Sequence, residues 1–150
     1  MILKNKDVLV EVVYEIMDEM FFLFPEINEE GQPKESGILT EDFSDVGIHF
    51  NTEHQIRLRI EHSLLEDMTV NFTGLQPEEI QQEHLQSTAT ETANIIGGNF
   101  LVKIDPEQTY KLSIPELLNP EDEQPFEQRP WQQSFVAEEG KLLYWPEARR

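Results

Sequence analysis

Three polar side chains, Ser87, Glu91 and Asn94, share one side of a segment whose spacing predicts an amphipathic helix. At about 100° of rotation per residue, they and Gly98 fall within an arc about 60° wide. An opposite arc, about 80° wide, holds the apolar residues Leu85, Ala89, Ala93, Ile96 and Phe100. A helix buries its apolar arc. The polar arc has one carboxylate, one carboxamide and no lysine or arginine, which in so acidic a chain indicates a docking face.

The sequence does not contain the residues or motifs that most other kinds of reactive site require. There is no cysteine, which excludes disulfides, thiolate nucleophiles and cysteine metal sites. No metal motif occurs, and no two histidines are spaced to share one helical turn among His49, His54, His62 and His84. Neither a phosphate-binding glycine loop nor a Gly-x-Ser-x-Gly sequence is present. A histidine–carboxylate site assembled from distant segments stays open, and the many acidic pairs are interpreted as solvated faces.

The chain is unusually acidic for a globular protein. Its 150 residues include 30 acidic and 11 basic ones, which gives a formal net charge of −19. Nucleic acids and anionic membrane surfaces require a basic footprint, so we expect neither as a partner. The length and the 38% hydrophobic content indicate one domain over residues 1–150. No signal peptide and no apolar run of ~18 residues is found, so a cytoplasmic protein is expected.

The N-terminal half is predicted to contain two helices and two strands. Apolar spacing predicts a helix over residues 7–24, with Asp7 as N-cap and Pro25 at its end. Its Phe21–Phe24 end is expected deep in the core, with a subunit interface as the alternative. A solvated loop is expected next, over residues 26–37. The elements that follow are strands over residues 46–51 and 55–62, joined as a hairpin through residues 51–54, the second with one charged face. A helix is expected from Ser63, with Glu66 in a capping box, to Gly74, and residues 69–73 could instead be extended.

The C-terminal half is predicted to begin with the long helix, which opens at Pro77 and ends near Gly98. Strands over residues 100–104 and 110–114 come next, followed by an acidic, proline-rich surface excursion at about 115–130 and a hairpin of strands 133–136 and 141–145. Together these elements predict an α+β fold, in which long helices pack against an antiparallel sheet.

The pattern Ser87-x-x-x-Glu91-x-x-Asn94, followed by Ile-Ile-Gly-Gly-Asn, resembles the active-site helix of the chemotaxis phosphatases of the CheC/CheX/FliY family. In that family, Asp or Ser is followed by Glu and Asn at this spacing and by a glycine one turn on. Two further segments agree: residues 15–22 resemble the Met-Phe-Phe helix of CheX-like domains, and residues 112–115 resemble a strand ending in proline. The resemblance spans roughly residues 8–118 and implies a CheC-like fold.

The resemblance implies hydrolysis of the phospho-aspartate of a CheY-like response regulator. Asn94 would enter the regulator's acidic pocket and orient the attacking water, since an amide both donates to and accepts from one water. Glu91 would pair with the regulator's active-site lysine. Phosphoryl transfer needs mainly positioning and charge stabilisation, so no metal or cofactor of its own is expected, and the Mg2+ would belong to the regulator. Ser87, Gly97 and Gly98 would serve partner docking, although the glycines equally fit a helix end.

CheC-like members carry a second motif on the first helix, and here the matching stretch departs from it. Asp18 stands where the motif has Asn, three residues after Glu15. A carboxylate would bring negative charge to a phosphorylated pocket and could not donate a hydrogen bond. One working site per chain is therefore expected, as in CheX. The resemblance to CheX-type members also implies a homodimer formed through sheet edges, which would cover exposed strands.

Two alternatives stay open. The first is a non-catalytic module of the same fold that binds a receiver domain or a flagellar-switch partner. It is favoured by the unmatched segment 115–130 and by the negative charge, which would slow encounter with an acidic pocket unless the docking rim is basic. The second, an acidic mimic of nucleic acid, would need a regular double row of carboxylates, whereas here they are scattered. The phosphatase site itself requires that Glu91 and Asn94 are both exposed and adjacent.

Overall fold

The computed structural model describes residues 5–27, 43–50, 54–108, 110–118, 133–137 and 140–148. In these ranges the elements, in chain order, are α1 (Lys6–Phe21), β1 (Glu26–Ile27), β2 (Phe43–Phe50), β3 (His54–Glu61), α2 (His62–Thr73), a 3-10 helix (Pro77–Glu79), α3 (Gln82–Ile104), β4 (Glu116–Leu118), β5 (Gln133–Ala137) and β6 (Gly140–Ala148). The predicted α+β class is confirmed. None of the helices described is long and apolar enough to cross a membrane.

The strands form one six-stranded sheet in the order β1-β5-β6-β3-β2-β4. Every pairing is antiparallel, and both predicted hairpins are confirmed, β2 with β3 and β5 with β6. The 51–53 connection of the first hairpin lies outside the described residues. Residues 116–118 of the predicted irregular excursion are instead the edge strand β4, paired with β2, and residues 119–132 lie outside the described ranges. The predicted loop at residues 26–37 likewise begins with β1, paired with β5.

The core lies between the helices and the sheet. The three α-helices contact one another, and α3 packs directly on β2. Side chains that are fully enclosed there come from every one of these layers and include Val12, Met17, Ile48, Ile56, Leu58, Phe50, Met68 and Phe100. Alternating residues of β3, namely Ile56, Leu58 and Ile60, are buried as the two-residue period predicts.

The second face of β3, predicted as charged, is buried as well. Arg57 and Arg59 are only 8% and 9% exposed. Arg59 donates from Nε and Nη2 to the two carboxylate oxygens of the buried Asp45 on β2, at 2.8 Å each. A bidentate, charge-assisted pair of this kind offsets part of the desolvation of both groups. The charged residue Arg59 on this alternating strand therefore belongs to a buried ion pair and not to a solvent-exposed face.

The ends of α1 differ from the prediction. Its N-cap is Asn5 rather than Asp7, without a side-chain cap. It ends at Phe21, because Phe22 adopts the left-handed conformation with φ 57° and its amide donates to the Asp18 carbonyl at 3.1 Å. The chain therefore leaves the helix before Pro25. Phe21 is buried, but Phe22 and the next aromatic, Phe24, are 67% and 75% exposed, so the predicted burial of the whole cluster is wrong.

The boundaries of α2 and α3 show three further corrections. Helix α2 begins at His62 without a side-chain cap, so the predicted Ser63 capping box is wrong, whereas its end at Gly74, with φ 76°, is confirmed. Pro77–Glu79 forms a separate 3-10 turn, and α3 starts at Gln82.

At its other end, α3 continues through the glycine pair to Ile104, so the predicted strand over residues 100–104 is wrong. Phe100 and Ile104 are one helical turn apart, and both pack in the core. This packing stabilises the helix, although the β-favouring residue types had suggested a strand. The predicted strand over residues 110–114 is reduced to a single bridge between Leu112 and Phe50.

Candidate functional site

Helix α3 faces the core with the side that the sequence predicts. The residues of the apolar arc, Leu85, Ala89, Ala93, Ile96 and Phe100, are all at most 4% exposed. On the opposite side Ser87, Glu91 and Asn94 are exposed. Positions three residues apart on a helix are neighbours, at a rise of about 4.5 Å, so the carboxylate and the carboxamide lie side by side. The structural condition set for the candidate pair is met.

The pair borders an open groove of about 430 Å³. Thr90, Glu91 and Asn94 of α3 form one wall. The other wall, which we call the 112–115 wall, consists of Leu112, Ser113, Ile114 and Pro115. Glu91 is the single ionisable side chain among the described lining residues, and none of those residues is basic. Ser87 lies one turn before Glu91 and is not among these lining residues.

The polar groups on the helix side of the groove are not equivalent. The Thr90 hydroxyl donates back to its own helix, to the carbonyls of Gln86 and Ser87 at 3.1 Å each. Within the part of the chain that the structure describes, neither the Glu91 carboxylate nor the Asn94 carboxamide has a hydrogen-bond or ion-pair partner. Unlike Thr90, these two side chains can therefore offer their full polar capacity to a partner.

The 112–115 wall is tied to the sheet. The Ser113 amide donates to the His49 carbonyl at 2.9 Å, and the His49 amide donates to the Ser113 hydroxyl at 2.8 Å. The neighbouring Leu112 forms the bridge to Phe50. These bonds join residues more than sixty positions apart, so the wall depends on tertiary contacts with β2. The sequence suggested a strand here but no part in the site.

A tight turn connects α3 to this wall. The buried Asp105 follows the helix, and its amide donates to the Leu101 carbonyl at 2.8 Å. Its carboxylate accepts from the Tyr110 amide at 2.7 Å, and its carbonyl accepts from the Gln108 amide at 3.0 Å. Gln108 itself adopts φ 60°, in the left-handed region. Asp105 thus anchors the path of the chain from one wall of the groove to the other.

The two glycines that were predicted to serve docking have different surroundings. Gly97 is buried, and a Cβ built on it would lie 3.2 Å from Ile48 Cδ1 and 3.3 Å from Leu112 Cδ1. It lets α3 approach β2 and the 112–115 wall, so the space left by its missing side chain is used within this chain. A Cβ on Gly98 would meet nothing within 4 Å, so no internal contact requires glycine there. Both positions are mid-helix, which also rules out the helix-end interpretation.

The stretch of α1 that matches the second motif of CheC-like members does not offer the same free side chains as α3. Glu15 of α1 lies with its Oε1 3.4 Å from Nζ of Lys103 on α3. Asp18, one turn further along α1, is exposed. The carboxylate that would hold a partner's lysine is therefore already paired with a lysine of this chain.

The histidine–carboxylate contacts do not assemble a metal site. His49 Nε2 lies 3.3 Å from Glu116 Oε1, which joins β2 to β4, and His62 Nδ1 lies 4.0 Å from Glu66 Oε1 within α2. No group of three or more histidine, aspartate or glutamate side chains suited to a metal ion occurs in the described ranges.

Several solved structures share this architecture. CheX from Vibrio vulnificus is 12% identical, with a TM-score of 0.70 over 96% of this chain and 97% of that one. CheX from Desulfovibrio desulfuricans is 14% identical, with a TM-score of 0.68 over 97% and 99%. A structure of the CheX–CheY–BeF3–Mg2+ complex from Borrelia burgdorferi matches at 14% identity and a TM-score of 0.64, over 96% and 97%. These similarities define the class of fold: a CheX/CheC-like α+β domain.

The family follows from the sequence itself. Residues 46–135, more than half of the chain, match the family model described as chemotaxis phosphatase CheX. The protein therefore belongs to the CheX family. The matched region contains both α3 and the 112–115 wall. No curated protein matches the chain.

Proposed function

We propose that this protein is a phosphatase that removes the phosphoryl group from the phospho-aspartate of a CheY-like response regulator. The observation that carries the proposal is the pair Glu91 and Asn94, both exposed, one turn apart and at the border of one groove. Membership of the CheX family supports the reaction class. The complex of the Borrelia CheX with CheY supports the kind of partner, and a cytoplasmic location is part of the proposal.

In the proposed reaction Asn94 enters the regulator's acidic pocket. Its carboxamide donates to and accepts from one water, which it holds in line with the phosphorus atom. The water oxygen attacks phosphorus as the bond from phosphorus to the aspartate oxygen breaks. The two protons of the water remain with the phosphate that forms, so the products are inorganic phosphate and a free carboxylate. Mg2+ bound by the regulator, not by this chain, stabilises the charge on the transferred group. Asn94 thereby contributes position rather than charge.

Glu91 has a separate role in this proposal. Its carboxylate pairs with the regulator's active-site lysine and so fixes the register of Asn94 against phosphorus. A charged side chain without an internal partner in the described structure is available for such a contact. Ser87 and Gly98, on the same side of α3, extend the proposed docking face along the helix.

The test is the rate at which a phosphorylated CheY-like regulator from the same source loses its phosphoryl group. We expect acceleration by the wild-type protein and a loss of at least about 100-fold in Asn94→Ala, since a misplaced reactant typically costs that much. Asn99→Ala is the matched control, because Asn99 is also exposed on α3 but its amide donates to its own helix, to the Ile95 carbonyl at 2.8 Å. It should keep the wild-type rate.

Turnover that survives Asn94→Ala would contradict the mechanism. Binding of the regulator without any acceleration by the wild-type protein would instead identify a non-catalytic receiver-binding module.

The proposed homodimer is tested separately by sedimentation velocity, in which a mass of about 35 kDa is expected from two chains of 17.5 kDa.

A further inference from the structure

Ile114 is the most exposed large hydrophobic residue in the described part of the chain, at 87%. Single exposed apolar residues are common and by themselves indicate nothing. This one, however, belongs to the 112–115 wall and lines the same groove as Glu91 and Asn94. It therefore lies across from the residues proposed to carry the reaction.

The backbone of Ile114 is held in place from both sides. Before it, Ser113 exchanges two hydrogen bonds with His49, and the Ser113 hydroxyl also lies 3.3 Å from the Ile114 carbonyl. After it comes Pro115, and a residue that precedes proline is restricted to extended conformations. An apolar side chain on a fixed backbone loses little conformational entropy on binding, which favours its use as a contact.

The charges around the groove point to the same use. The chain has a net charge of −19, and Glu91 is the single ionisable side chain of the described lining. The regulator of the proposed function offers an acidic, phosphorylated pocket, so overall charge opposes association. The one attraction available to Glu91 is the regulator's lysine. Apolar surface removed from water is a source of affinity that this charge does not oppose.

We propose that Ile114 is the apolar anchor of the regulator-binding surface. It packs against apolar surface beside the acidic pocket of the response regulator while Asn94, from the opposite wall, reaches the phosphoryl group. This inference rests on the proposed function and adds a residue that determines affinity. Ile114 touches no reacting atom, so its removal affects binding of the regulator and leaves the reaction of the bound complex intact.

The experiment measures the dissociation constant for the regulator activated with beryllofluoride and Mg2+, by isothermal titration calorimetry. Burial of an isoleucine side chain corresponds to roughly a ten-fold to hundred-fold difference in affinity. We expect Ile114→Ser to raise the dissociation constant by at least about ten-fold. Ile114→Leu should bind like the wild type, since it restores the apolar volume. Phe24→Ser is the matched control, because Phe24 is 75% exposed and outside the described lining of the groove.

The outcomes separate this inference from the proposed function. Wild-type affinity in Ile114→Ser would overturn the anchor while leaving the phosphatase proposal intact. Weakened binding in Ile114→Ser, together with a wild-type protein that binds but does not hydrolyse, would support the anchor and overturn the phosphatase. Equal weakening in Phe24→Ser would show a general surface effect and would also overturn the anchor. In the hydrolysis assay, Ile114→Ser should raise KM and leave kcat unchanged at saturating regulator.

Discussion

Ser113 and His49 are joined by two hydrogen bonds in opposite directions. The Ser113 amide donates to the His49 carbonyl at 2.9 Å, and the His49 amide donates to the Ser113 hydroxyl at 2.8 Å. The contact fixes the 112–115 wall to β2 and so sets the distance between that wall and α3. A short segment outside any regular strand thereby acquires a fixed place beside Glu91 and Asn94.

Replacement of Ser113 by alanine should loosen this wall. The His49 amide, which is partly buried, would lose its acceptor, and we expect the free energy of unfolding to fall by about 1 kcal/mol. The regulator should bind more weakly because Ile114 is no longer held in place, while kcat at saturation stays near that of the wild type. Urea unfolding and titration calorimetry measure the two effects. Unchanged values in both measurements would contradict a positioning role for Ser113.

Alanine at the two adjacent glycines should have different effects on stability. Gly98→Ala is expected to raise the free energy of unfolding by about 0.5–1 kcal/mol, since alanine favours a helix interior and the added methyl meets nothing within 4 Å. At Gly97 the methyl must fit at 3.2 Å from Ile48 Cδ1, and overpacking typically costs about 1–3 kcal/mol. Urea unfolding should therefore rank Gly98→Ala above Gly97→Ala, and equal stabilities would contradict this account.

The same Gly98→Ala variant tests the docking role of its outer face. A methyl there would stand between α3 and the regulator, so weaker binding is expected from a protein that is more stable. Wild-type affinity would show that the space at Gly98 is not used by the partner.

Restoring an asparagine at position 18 should not create a second active site. Asp18→Asn rebuilds the Glu-x-x-Asn spacing on α1, but Glu15 remains paired with Lys103 at 3.4 Å. In a chain that also carries Asn94→Ala, the hydrolysis rate should therefore stay at the level of Asn94→Ala alone. Recovery of turnover in the Asp18→Asn, Asn94→Ala double variant would show that the first helix can act as a site after all.

The orientation of α3 was predictable because its pattern is local. Leu85, Ala89 and Ala93 recur at four-residue spacing, and helical geometry places them on one side whatever the rest of the chain does. The exposed position of Glu91 and Asn94 follows from the same geometry. The extent of the helix was not predictable in this way. Two adjacent glycines usually mark an end, and here tertiary packing of Gly97 overrides that preference.

The other wall of the groove could not be derived from the sequence, because it depends on contacts between distant positions. Nothing local to Ser113 indicates that its partner is His49, sixty-four residues earlier. The same holds for β3, where the sequence pattern predicts one charged face but not the partner of Arg59. Its actual environment depends on Asp45 of the neighbouring strand and on the register that places the two directly opposite each other.

The turn at Asp105 affects the spacing between the two walls of the groove but supplies neither of the candidate reactive side chains. The candidate reactive residues belong to α3, whereas the spacing between the walls depends on the connection that Asp105 closes with Tyr110 and Gln108. Substitutions, insertions or deletions in that connection would alter the width of the groove, and with it the fit to the regulator of the proposed function, without changing Glu91 or Asn94. The width of the groove and the candidate reactive pair thus depend on separate stretches of the chain, so a related protein can differ in the one while retaining the other.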